Sequence, residues 1–171
     1  MDKRDIEGTL RLYGTPAEEG GSGKVYMVRA GLFDDADAVL HWHPGDRNAA
    51  NPSTSLANKS ARFTFTGISA HAAAAPQLGR SALDGVEAMN YMVNLMREHV
   101  PEQTRIHYVI TSGGEAPNVV PDYAQVYYYV RHPDARALLK IWDRVKAVSE
   151  AAAIGTGTGV HVEVMHGNHS I

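Results

Sequence analysis

The sequence predicts a mixed α/β (α+β) fold: a βα unit over residues 1–52, then a ferredoxin-like βαββαβ unit over residues 53–166. Three observations carry that expectation. Apolar residues alternate with polar ones at Ala61, Phe63 and Phe65, the period of a strand with one buried and one wet face. Two stretches, one through Val86, Met89, Val93 and Met96 and one through Leu138, Ile141, Val145 and Val148, repeat at helical spacing. Between them lie two β-rich runs, Ile106 to Ile110 and Ala124 to Val130, joined by a connection from Gly113-Gly114 to Pro121.

In chain order, Thr9 to Tyr13 alternates like a short strand and Gly14 to Pro16 turns. Gly23 to Ala30 reads as a helix closed by Gly31, and Ala38 to Trp42 as a compact apolar strand. Ligands gather beyond the carboxyl ends of strands in βα units, where Glu18, Glu19 and His43 fall. A break at Asn51-Pro52-Ser53-Thr54-Ser55 separates this piece from the next. Ser81 is placed to cap the first long helix; the second ends before Gly155 to Gly159, and a last strand runs from Val160 to Met165.

Composition narrows the function classes. A chain of 171 residues with 44% hydrophobic content can bury a real core. The net charge of −3, with sixteen scattered Lys and Arg, offers no basic stripe for nucleic acid. Without cysteine there is neither a disulfide framework nor a thiolate metal site, so any metal must be held by His, Asp or Glu. No apolar run is long enough to span a bilayer, no apolar targeting segment follows Met1, and the expected location is cytoplasmic.

The densest chemistry lies in Gly14-Thr15-Pro16-Ala17-Glu18-Glu19-Gly20-Gly21, followed by His43. Adjacent carboxylates on a tight loop can face different ways, one toward a metal and one toward the water that metal binds. Taken alone, such glutamates are commonly solvated charges, and His41 beside His43 shows how weakly a single histidine discriminates. Gly20-Gly21-Ser22-Gly23-Lys24 lacks the first glycine and the final Ser or Thr of a phosphate-cradling loop. His71 sits among alanines that let another surface approach its ring. Arg131 ends a tyrosine-rich strand, where it can pair with an acid or stack on Tyr129. Arg80 is spaced to pair with Asp84.

The order of these motifs, joined by Gly67-Ile68-Ser69-Ala70-His71-Ala72-Ala73, Gly79-Arg80-Ser81-Ala82-Leu83-Asp84, Pro117-Asn118-Val119-Val120-Pro121 and Val130-Arg131, resembles the aminoacylase and carboxypeptidase family of metal-dependent amidohydrolases, most of all its aminobenzoyl-glutamate branch. The resemblance implies a catalytic domain interrupted by a lid that also makes a homodimer. It implies Glu18 as general base, Glu19 and His43 as ligands of one or two zinc or manganese ions, and His71 as an oxyanion donor in the partner subunit's site. Asn118 and Arg131 would bind the carboxylate of a small amide substrate. On that alignment residues 1–52 are part of the catalytic domain, 53–166 the lid, and 167–171 the start of a return to the catalytic domain. The family's remaining metal ligands have no counterpart here, so the chain is expected to be an internal piece, inactive alone. The alternative expectation is a stand-alone dimerisation or ligand-binding module without chemistry.

Overall fold

The computed structural model describes residues 7–50 and 53–170. The chain forms two compact units, Met1–Ala49 and Ala50–Ile171, each described by itself. Asn51 and Pro52, where the sequence places the break, lie outside the described residues, as do residues 1–6 and Ile171.

In the first unit, a four-residue helix α1 (Glu18–Gly21) is followed by α2 (Gly23–Arg29). Gly31, at φ +72°, takes the left-handed turn just beyond α2. The expected strands at Thr9–Tyr13 and Ala38–Trp42 are not formed: among residues 7–49 no segment pairs into a ladder. A strand needs a neighbour for its backbone N–H and C=O groups, and no other segment of this unit supplies one. Local contacts hold the unit instead. The Arg11 guanidinium donates two hydrogen bonds to Asp35, at 2.7 and 2.6 Å, the Tyr13 hydroxyl donates to the Leu32 carbonyl, and the Tyr13 and Phe33 rings meet edge to face. No described residue of this unit is buried, and Leu12, Leu40 and Trp42 lie almost wholly in solvent.

The second unit contains the whole core. Four long strands, β1 (Ala57–Thr66), β3 (Arg105–Ser112), β5 (Tyr123–His132) and β6 (Gly159–Asn168), pair antiparallel in the order β3-β5-β1-β6. Helices α3 (Ala82–Met96) and α4 (Ala135–Thr156) connect them in a βαββαβ sequence and pack on one face. Two short strands absent from the sequence reading, β2 (Ala70–His71) and β4 (Val119–Val120), pair with each other. β6 runs on through Gly167 and Asn168, which face Lys59 and Asn58.

Alternation decides which side chains enter the core. Ala61, Phe63 and Phe65 of β1 and Ala124, Val126, Tyr128 and Val130 of β5 are buried against Val86, Met89 and Val93 of α3 and Leu138, Ile141, Trp142 and Val145 of α4. The buried Tyr128 hydroxyl is matched by Asn90, which accepts its hydrogen bond, and burial pushes the phenol well above its usual range. Among the described residues no helix is long and apolar enough to cross a membrane.

The helix ends follow local chemistry. Ser81 accepts from the Asp84 N–H at 3.1 Å, as its position predicts. Arg80 does not pair with Asp84; it donates instead to the carbonyls of Gln77 and Gly79. Gly157, at φ +66°, ends α4 with its N–H directed at Ala153 and Ile154. Gly67 passes so close to the Arg80 carbonyl that no Cβ would fit. Asp134 caps α4 by accepting from Arg136 and Ala137, and those N–H donors hold its carboxyl below the usual range. A carboxyl with a depressed folded pKa stabilises above its unfolded pKa of 3.8 and loses that contribution as pH falls through the folded value. Asp134→Asn keeps an acceptor, so its denaturation midpoint should fall less steeply than wild type below about pH 4; equal acid slopes would contradict this.

Candidate functional site

In the first unit, the backbone presents the glutamate pair to solvent. Ala17 and Ser22 adopt left-handed conformations, at φ 57° and 50°, and bracket the single turn in which Glu18 and Glu19 stand exposed. His43 is exposed as well, and its Nδ1 lies 3.0 Å from the Pro44 carbonyl. A carbonyl only accepts, so Nδ1 carries the hydrogen and Nε2 keeps a free lone pair, the tautomer a metal-ligating histidine needs. Glu19 and His43 thus have suitable donor chemistry. Yet among the described residues no three His, Asp or Glu side chains gather into a set that could hold an ion, and a catalytic zinc takes three protein ligands. The described residues do not form a metal site by themselves.

The second unit carries two further groups of candidates, at opposite ends of its sheet. Beyond the Thr66/Tyr123 end, β2 and β4 place His71 opposite Val119, and the Ala72 N–H donates to the Asn118 carbonyl at 3.0 Å. His71 and Asn118 are therefore neighbours. The backbone N–H groups of Ala73 and Ala74 donate to His71 Nδ1 at 3.2 and 3.1 Å. That geometry leaves Nε2 carrying the hydrogen on an exposed ring, a neutral donor ready for a developing negative charge.

Arg131 stands at the other end, paired with Asn58 near the start of β1. From Tyr123 to Arg131 the strand advances about 26 Å at roughly 3.3 Å per residue. Arg131 stacks over the Tyr129 ring at 5.1 Å. Around it, on the face away from the helices, is a polar cluster the sequence reading missed. The buried Ser60 Oγ lies 3.2 Å from His166 Nδ1 and 3.5 Å from the Tyr127 hydroxyl, which in turn donates to Tyr129. Burial, then the Arg131 charge, lowers the His166 pKa; the Tyr127 hydrogen bond and then burial raise that of Tyr129. The signal available was the period-2 recurrence of Tyr127, Tyr129 and Arg131, but the partners across the strands depend on register.

The pattern of a helix-covered antiparallel sheet with an extended β2/β4 tip has known counterparts. The profile of the peptidase dimerisation domain matches residues 57–156, more than half of the chain. The chain belongs to the peptidase dimerisation domain family. It is 51% identical over 154 residues to a p-aminobenzoyl-glutamate hydrolase of Escherichia coli, a match covering 90% of this chain and 32% of that protein. It is 35% identical over 152 residues to the Xaa-Arg dipeptidase of Mus musculus, covering 89% and 35%. The crystal structure of an aminobenzoyl-glutamate utilization protein from Klebsiella pneumoniae superimposes with a TM-score of 0.65 at 23% identity, covering 84% of this chain and 38% of that one, which establishes a shared fold. The chain spans about a third of the length of the curated relatives it matches.

Proposed function

We propose that this chain forms the dimerisation lid and one edge of the active site in a divalent-metal-dependent amidohydrolase, whose substrate is a small amide bearing a carboxylate. The observation that carries the reading is the separation of His71 and Asn118 from Arg131 along the sheet. A distance of about 26 Å exceeds the length of a small amide substrate, so one copy cannot put both ends of its lid on one molecule. Two copies can. In a homodimer, the His71 tip of one copy serves the site whose Arg131 comes from the other. The hydrolase and dipeptidase names of the relatives support the amide chemistry.

In this reading Glu18 takes the proton of the attacking water and passes it to the leaving nitrogen. The partner's His71 donates Nε2–H to the oxyanion, and Asn118 and Arg131 position the carboxylate-bearing end. Glu19 and His43 would hold a zinc or manganese ion together with donors beyond the described residues. Such an ion would supply Lewis acidity.

The test is a chimera in which this chain replaces the matching stretch of the Escherichia coli relative, assayed for cleavage of p-aminobenzoyl-glutamate. Retained cleavage supports the proposal. His71→Ala in the chimera should then lower turnover by about 10²- to 10³-fold while the dimer persists in sedimentation; unchanged turnover would remove His71 from the site. The module-only reading is favoured by one observation, that every buried residue lies in the second unit. A dimeric chain whose chimera cleaves nothing would support it.

A further inference from the structure

The open face of the sheet ends in a row that crosses all four strands. Register sets Arg105 of β3 opposite Arg131 of β5, Arg131 opposite Asn58 of β1, and Asn58 opposite Asn168 of β6. Directly opposed residues of antiparallel strands share a face, with Cβ atoms about 4.5–5.5 Å apart, and like charges so placed repel. Among the described residues neither arginine has a carboxylate within ion-pair distance. Arg105 donates to the carbonyls of Glu102 and Thr104, and Arg131 lies over the Tyr129 ring. Beside them the side-chain oxygens of Asn58 and Asn168 are buried and accept no hydrogen bond.

Each half of this row is unfavourable on its own. Two cations face each other across a strand pair, and two acceptors have been removed from water without donors. A bound cation would quench the acceptors but is repelled by the guanidinium groups. Phosphate or sulfate would neutralise the arginines but brings no donor at neutral pH to the amides. The complement of the whole row is a molecule with two carboxylates and an N–H between them and the asparagines.

We propose that Arg105, Arg131, Asn58 and Asn168 form a recognition subsite for an N-acylated acidic amino acid. The two carboxylates engage the guanidinium pair and the amide N–H donates to an asparagine oxygen. That the ligand is the substrate rests on the function proposed above; that the row binds it does not. The cationic pair also selects the acylated form, since a free amino acid carries an ammonium group that the arginines repel. Cleavage of the amide therefore weakens the hold on the product and favours its release.

Titration of the full chain with N-acetylglutamate, glutarate and N-acetylnorvaline, followed by NMR shifts and calorimetry, tests the subsite. N-acetylglutamate should bind at least about tenfold more tightly than glutarate, which lacks the N–H, and than N-acetylnorvaline, which lacks the second carboxylate, as expected when one hydrogen bond to a charged or buried partner is lost. Arg105→Gln should erase the preference over N-acetylnorvaline, and the paired changes Asn58→Ala and Asn168→Ala the preference over glutarate. Arg105→Gln also removes the repulsion, so the unliganded variant should melt no lower than wild type, which separates lost recognition from lost folding. Binding of all three ligands within about twofold of one another overturns the proposal, as do shifts confined to residues away from the row or an Arg105→Gln preference like that of wild type. Tight, selective binding beside an inactive chimera would leave the subsite standing and sink the hydrolase reading; an active chimera with no selectivity would do the reverse.

Discussion

Glu18→Gln in the chimera with the Escherichia coli relative should lower turnover of p-aminobenzoyl-glutamate by about 10²- to 10⁴-fold, the range for losing a general base. The amide keeps the size and exposure of the glutamate, and Glu18 makes no contact that holds the fold, so the expected loss is one of proton transfer. Mixing makes the result sharper. A subunit with Glu18→Gln still offers a normal His71, and one with His71→Ala still offers a normal Glu18. If the lid tip crosses to the partner, refolding the two inactive variants together recovers activity, because one site of each mixed dimer has both groups. A mixture as inactive as its components would place His71 and Glu18 in the same copy or outside catalysis, and near-normal turnover of Glu18→Gln alone would remove the base assignment.

Trp142→Ala should destabilise the second unit by about 3–5 kcal/mol, the cost typical of removing a large buried aromatic. Trp142 is 2% exposed, packs against the Phe63 ring at 6.0 Å between centroids and lies under the Lys59 ammonium at 5.3 Å. It therefore joins α4 to the central strand of the sheet, and no neighbouring side chain is long enough to fill the space it leaves. Leu139 occupies the same helix but is 51% exposed, so Leu139→Ala should cost less than about 0.5 kcal/mol, as surface changes do. Urea unfolding of both variants checks the contrast. A Trp142→Ala loss below about 1 kcal/mol would mean that the α4 contact with β1 is not where the stability resides.

What could be read from the sequence depended on how local its cause was. The strand at Ala61, Phe63 and Phe65, both long helices and the Ser81 cap follow from periodicity and capping chemistry within a few residues, and the structure forms each of them. Thr9–Tyr13 and Ala38–Trp42 have strand-like composition, but a strand is completed by its neighbour, and the described part of the first unit contains none. The site divides in the same way. The glutamate pair, His43, His71 and Arg131 were visible as residue types in motifs, whereas the closeness of His71 to Asn118 and the distance of both from Arg131 come from pairing between segments far apart in the chain. The row from Arg105 to Asn168 was invisible for that reason, since no two of its members are near neighbours in sequence.

Because every fully enclosed side chain belongs to the βαββαβ unit, a calorimeter sees that unit alone. The heat-capacity step and the denaturant slope both scale with surface newly wetted on unfolding, and residues 7–49, already solvated, add little to either. Substitutions at Glu18, Glu19 or His43 should leave the melting curve where it was. Any chemical defect they cause can then be assigned to the reaction without correction for folding.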